Sequence, residues 1–226
     1  MTFFDKLNDQ TRSDAEKFMS INIIQDAIEN GVEQAAYLAF LTQAYHHVKL
    51  TCPLLGLALS RCTSVDKIYR NALIEYIDEE KGHEEWILND IEYFGGDRKT
   101  VEQGKAAIPT QVMCGYAHYA IEHLSPYALL GMVHVLEGMS VALATTAAGK
   151  IYSRLNKGDG QKGFSYLLSH GSLDVEHTNF FAQLVNQIEE EEKQNIIIQS
   201  AKIFYRLYGD IFRELEIQVK ELSRAA

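Results

Sequence analysis

The sequence predicts an all-α bundle of seven or eight helices. Three observations carry this expectation. Only three prolines, Pro53, Pro109 and Pro126, interrupt 226 residues. Ala, Leu, Glu and Gln are plentiful, and these residues lose little on entering a helix. Apolar residues recur at helical spacing along most of the chain, and no segment alternates as a strand would.

Taken in order, residues 3–29 read as one or two short helices. From Gly31 to about Leu50, Val32, Ala36, Ala39 and Leu50 share a helical face. Pro53 lacks an N–H and kinks that run, which resumes to about Cys62. Ser64 is a candidate cap for a helix running to Phe94, where Gly95-Gly96 is a stop signal. A short helix follows at Thr100–Ala107. Pro109 opens another, to about His123. Ser125-Pro126 is a cap and first-turn proline for a long helix from Tyr127 to about Leu155. Asn156–Gly163 is the clearest loop. The last helices cover Phe164–Ile188 and Glu190–Ser223, with Glu189–Glu192 as a solvated, acidic helix start.

The length suits one domain over residues 1–226, with no repeat or linker. Net charge is −10, from 21 Lys+Arg against 31 Asp+Glu, so a nucleic-acid partner is not expected. No run of eighteen apolar residues predicts a membrane span. The first residues do not read as a signal peptide, and Cys52, Cys62 and Cys114 form no zinc or disulfide pattern. A cytoplasmic protein is the resulting expectation.

Function is sought in polar groups on apolar helix faces, because a buried carboxylate costs several kcal/mol unless it is paired or metal-bound. Glu137 is the one acid between Leu124 and Asp159, on the stripe Leu130, Val133, Glu137, Val141. His170, Asp174 and His177 stand at i, i+4, i+7 and lie within roughly 60° on one face, which continues through Phe181, Leu184 and Ile188. A third stripe, Tyr69, Leu73, Tyr76, Glu80, His83, Ile87, carries Glu80 and His83 at i, i+3. Glu79 is i, i+4 to His83 and competes with Glu80 for the same role. Three carboxylates and three imidazoles on three helices match the donor mixture of dimetal sites in helix bundles. Oxygen and nitrogen donors without thiolate suit iron or manganese. Asp90, His47, His134, Tyr37, Tyr45 and Tyr76 are candidates for the pocket around the ligands.

These residues resemble the haem-oxygenase-like diiron oxidases and oxygenases. The likeness rests on Glu79-Glu80-Lys81-Gly82-His83-Glu84-Glu85-Trp86 with Asp90 and Gly95 beyond, on Glu137, and on His170-x3-Asp174-x2-His177. Tyr45-His46-His47-Val48-Lys49 also looks like the family's early pocket helix. The resemblance spans roughly residues 20–220. It implies a haem-oxygenase-like bundle without haem, often a homodimer. It implies two Fe(II) ions per chain (Mn is possible) and O2 as co-substrate. The implied small-molecule substrate is an amine, an amino acid or a carboxylic acid, which is N-oxygenated, cleaved at a carbon–carbon bond or oxidatively decarboxylated. One branch consumes its own tyrosine. It has Tyr before the Glu of the third helix, where this chain has Leu136, and a Lys in the following turns, where this chain has Ala147 and Ala148.

Two other readings compete. Thiaminase-type pyrimidine hydrolases of this fold use a nucleophilic Cys on the helix that here carries Glu137, and Leu129–Ser140 contains none. A non-catalytic iron-binding or interaction protein would share the fold.

Overall fold

The computed structural model describes residues 1–225. The side chains of 144–145, 169–176, 222–223 and 225 lie outside the description. The described chain is helical, with no strand. In order the helices are α1 (Phe3–Met19), α2 (Asn22–Asn30), α3 (Gln34–Val48), α4 (Thr51–Arg61), α5 (Lys67–Glu80) and α6 (His83–Tyr93). They continue as α7 (Arg98–Gln103), α8 (Ile108–His123), α9 (Ala128–Thr146), α10 (Ala148–Leu155), α11 (Ser165–Val185) and α12 (Glu191–Ala225). No single helix among the described residues is long and apolar enough to cross a membrane.

The expected number of helices was seven or eight; residues 3–29 form two helices rather than one, and three further breaks divide helices expected to be continuous or merely kinked. The first falls at Lys49–Leu50 rather than at Pro53 itself. A proline ring clashes with the carbonyl four residues earlier, here that of Lys49, so the old helix must end one turn before it. The second divides the helix expected to run from Ser64 to Phe94. Lys81 is extended (ψ 126°) and Gly82 is left-handed (φ 89°), so α5 stops and α6 starts afresh at His83. A glycine adopts that conformation without steric cost. The N-cap position of α5 is Asp66 rather than Ser64. The third break, at Ala147, turns α10 by 56° from α9. Here the Thr146 hydroxyl bonds back to the Ala142 carbonyl at 2.6 Å, a bond that competes with the helical ladder and bends helices.

Two apolar clusters form the core. The larger joins α1, α4, α5, α8, α9, α11 and α12 through Leu7, Leu54, Leu73, Met113, Val135, Val185 and Ile197. The smaller joins α3, α6, α10 and the start of α11 through Leu41, Ile87, Ile91, Phe94 and Phe164. The long α12 packs along α9, and the two backbones come close at Gly131. A Cβ there would stand 2.6 Å from the Ala201 nitrogen and 2.7 Å from the Ser200 Cβ. Hydrogen bonds to Asp66 tie three elements together. The carboxylate accepts from the Thr63 backbone and hydroxyl at 2.8 Å each, from Tyr127 Oη at 2.8 Å and from Lys193 Nζ at 3.2 Å. Burial alone would raise this carboxyl, but those donors outweigh it and hold it at about 2.

Two outcomes are expected. Gly131→Ala overpacks the α9–α12 contact and lowers stability by about 2–3 kcal/mol, measured by urea unfolding. Asp66→Asn lowers neutral stability by about 1–3 kcal/mol. Because the folded carboxyl sits below its unfolded value near 3.9, the Asp66 contribution is present above pH 4 and is lost as pH falls towards 2. The variant therefore shows a shallower acid limb over that interval.

Candidate metal centre

Four helices deliver the candidate ligands. The last turn of α5 supplies Glu79 and Glu80. His83 opens α6, and Glu137 lies at the middle of α9. His177 lies in the second half of α11. One oxygen each of Glu80 and Glu137 and one nitrogen of His177 lie within 4.8 Å of one another. Metal–ligand bonds near 2.1 Å place two donors of one ion at most about 4.2 Å apart, so sub-ångström side-chain adjustments bring these three onto a metal. His83 meets the group through Glu80, with Nδ1 3.1 Å from Oε2, and its ring stacks on Trp86. The left-handed Gly82 folds the chain back so that i and i+3 still meet, although they no longer share a helix.

Glu79 and Glu80 both approach His177. Glu79 Oε2 is 3.5 Å from Nε2, and Glu80 Oε1 is 3.9 Å from Nδ1. Their exposure separates them: the Glu80 side chain is 14% exposed and the Glu79 side chain 39%. Glu80 is in the buried cluster, while Glu79 stands at its rim. Burial, with Glu75, Glu80 and Asp78 nearby, raises the Glu79 carboxyl against the pull of His177. His170 and Asp174 lie outside the described residues.

Glu80, Glu137 and His177 line a cavity of about 80 Å³. Its other walls are largely apolar, among them Leu54, Leu129, Met132 and Leu136, with His47, Tyr76, Tyr166 and Tyr208 adding polar atoms. No Lys or Arg is among the described lining residues. A second cavity, of about 410 Å³, lies between α1, α9 and α11 and reaches the same Glu137.

The remaining pocket candidates divide. His47 and Tyr76 line the smaller cavity. His134 does not; it lines the larger one. Thr11 donates its hydroxyl to Leu7 O at 2.8 Å, so it accepts from His134 Nε2 at 3.1 Å, which places the imidazole proton on Nε2. Burial holds this imidazole down at about 4. Asp90 lines neither cavity. Its carboxylate accepts the backbone N–H of Ser165 at 3.0 Å and of Tyr166 at 2.8 Å, so α6 caps α11. Tyr37 and Tyr45 are not at the centre either. Tyr37 packs against Phe94 and Phe164 in the smaller core cluster. Tyr45 packs beside His46 with Lys49 over its ring. Their helix rotates them away from the face that His47 presents to the cavity. Tyr166 and Tyr208 were not singled out from the sequence. They reach the cavity from the start of α11 and the middle of α12, and no local pattern marks either one.

Carboxylates and imidazole gathered in a largely apolar cavity of a helical bundle form a donor set that could hold a metal ion. The chain belongs to the family of iron-containing redox enzymes, whose family model matches residues 38–209. The fold is that of the haem oxygenases. A domain of unknown function with a heme oxygenase-like fold from Shewanella denitrificans superposes with a TM-score of 0.88 at 18% identity, over 99% of this chain and 96% of that one. A TenA homolog from Pseudomonas syringae gives 0.77 at 13% identity, over 96% and 93%. Heme oxygenase-1 from the cyanobacterium Synechocystis, in complex with heme, gives 0.74 at 13% identity, over 100% and 97%. At these identities the likeness establishes the fold alone. No curated protein matches the sequence.

The protonation of His134 has a measurable consequence. Its folded value, about 4, lies below the unfolded value near 6.5, so the unfolded chain takes up the proton first. Stability therefore falls as pH drops from 6.5 towards 4. His134→Phe is expected to reduce the loss between pH 7 and pH 5 by about 1–2 kcal/mol, read as the change in urea midpoint at the two pH values.

Proposed function

We propose that this chain is a non-haem diiron oxidoreductase that uses O2 on a small amine, amino acid or carboxylic acid. The observation that carries the reading is the convergence of Glu80, Glu137 and His177 in a cavity whose described walls offer no cationic side chain. The donor set fits iron: hard carboxylate oxygens and imidazole nitrogen, with no thiolate. Glu80, Glu137, His83 and His177 would hold the metal, with His170 and Asp174 as further ligands by the sequence pattern. Manganese suits the same donors. When bound, ferrous iron supplies the electrons that activate O2. Leu54, Leu129, Met132 and Leu136 exclude water from the reacting groups. The size of the cavity favours a small substrate, since pockets for drug-sized ligands run to about 300–1,000 Å³. A substrate carboxylate has no Lys or Arg to meet among the described lining residues.

The thiaminase-type reading is disfavoured by its nucleophile. None of Cys52, Cys62 and Cys114 is among the described residues lining the cavity. Burial pushes the Cys62 and Cys114 thiols up to about 11, the opposite of what an activated nucleophile needs. Haem degradation, the activity of other proteins with this fold, is disfavoured by the same small cavity and leaves the carboxylates without a use.

Anaerobic titration of metal-free protein with excess ferrous iron is the test. About two ions per chain, followed by a transient visible band on mixing with O2, are expected. His177→Ala is expected to lose at least one ion. Two ions retained by that variant would sink the ligand assignment, and no iron bound by the wild type would remove the reading altogether.

A further inference from the structure

The Tyr76 hydroxyl is the anomaly of the cavity. Tyr76 is 1% exposed, and its Oη has no hydrogen-bond partner among the described residues. Two other buried tyrosines show the usual arrangement: Tyr69 donates to Pro126 O at 2.9 Å and Tyr127 to Asp66 at 2.8 Å. A buried donor without an acceptor costs about 1–3 kcal/mol, so an unpaired one asks for a missing acceptor.

Geometry says where that acceptor belongs. Tyr76 and Glu80 are i, i+4 on α5, so both side chains lie on one helix face. Both line the cavity that Glu137 and His177 complete. The ring is held edge-on to Phe180 at 5.0 Å. Turning the ring about its own axis leaves the hydroxyl where it is, so Tyr76 cannot move its donor elsewhere without leaving its packing. Its hydroxyl is therefore a fixed donor in the cavity that Glu80, Glu137 and His177 line.

We infer that the Tyr76 hydroxyl donates a hydrogen bond to the small oxygen or anionic ligand held at this metal centre. The inference rests on the diiron reading above and adds to it a positioning residue for the non-protein ligand. Carboxylate oxygens engaged by metal are spoken for, whereas a bound water, hydroxide or small anion brings fresh lone pairs into the cavity. Tyr76 would fix the direction of that ligand and favour its anionic form.

The test uses iron-loaded, air-oxidised protein and azide as the probe anion, titrated optically against wild type and Tyr76→Phe. Iron per chain is counted in both, and helical content and thermal midpoint verify folding. Equal iron with azide binding weakened about tenfold or more in the variant is expected for loss of one charge-assisted bond. Equal iron with equal azide affinity would overturn the inference while leaving the diiron reading intact. Loss of iron in the folded variant would show that Tyr76 serves the metal or its carboxylates instead. A broad visible phenolate-to-iron band in the wild type, absent from the variant, would make Tyr76 a direct ligand and overturn the donor role. Wild-type protein without iron would remove both readings together.

Discussion

Asp90 holds the two halves of the centre in register. Its carboxylate is fully buried and accepts two N–H groups at the start of α11. Burial pushes its carboxyl up, and those backbone bonds oppose the rise. A negative group at a helix N-terminus also meets the favourable end of the helix dipole. Asp90 stands two turns after His83 on α6, and His177 lies twelve residues along α11 from the capped end, about 18 Å at helical rise. One cap thus fixes where both helices present their imidazoles. The approach of Glu79 and Glu80 to His177 adds to the same register.

The helical class and most helix ends were legible in the sequence, because caps, prolines and glycine stops act over a few residues. The loop at Asn156–Gly163 and the acidic start of α12 follow the same local chemistry. The turn at Gly82 was not read. The stripe from Tyr69 to Ile87 looks continuous, and Lys81-Gly82 is short enough to pass as part of a helix. The pairing of Glu80 with His83 was nevertheless legible, since a tight corner also brings positions three apart together. Glu137 stood out as a lone acid in an apolar helix, and that signal is independent of where α9 ends.

What stayed hidden was the relation between distant segments. Asp90 was placed beside the ligands, yet its role is to cap a helix 75 residues away. Tyr37 and Tyr45 sit on the same helix as His47, and a modest rotation decides which of them sees the cavity. Tyr208 approaches from α12, and Gly131 is required by a backbone contact on that helix. Such positions are set by packing angles that a single chain of letters does not carry. By contrast, the polar groups of Asp66 and His134 are explained by their protein partners alone.

Glu137 is walled by a small cavity on one side and by a larger one, against α1, on the other. The carboxylate is therefore a partition with two addressable surfaces. An inhibitor need not displace a substrate to disturb the centre; filling the space beside α1 would press on the same side chain from behind. Such a compound would act noncompetitively. Its selectivity would come from Asn8, Arg12 and Thr178, residues with no part in the ligand set.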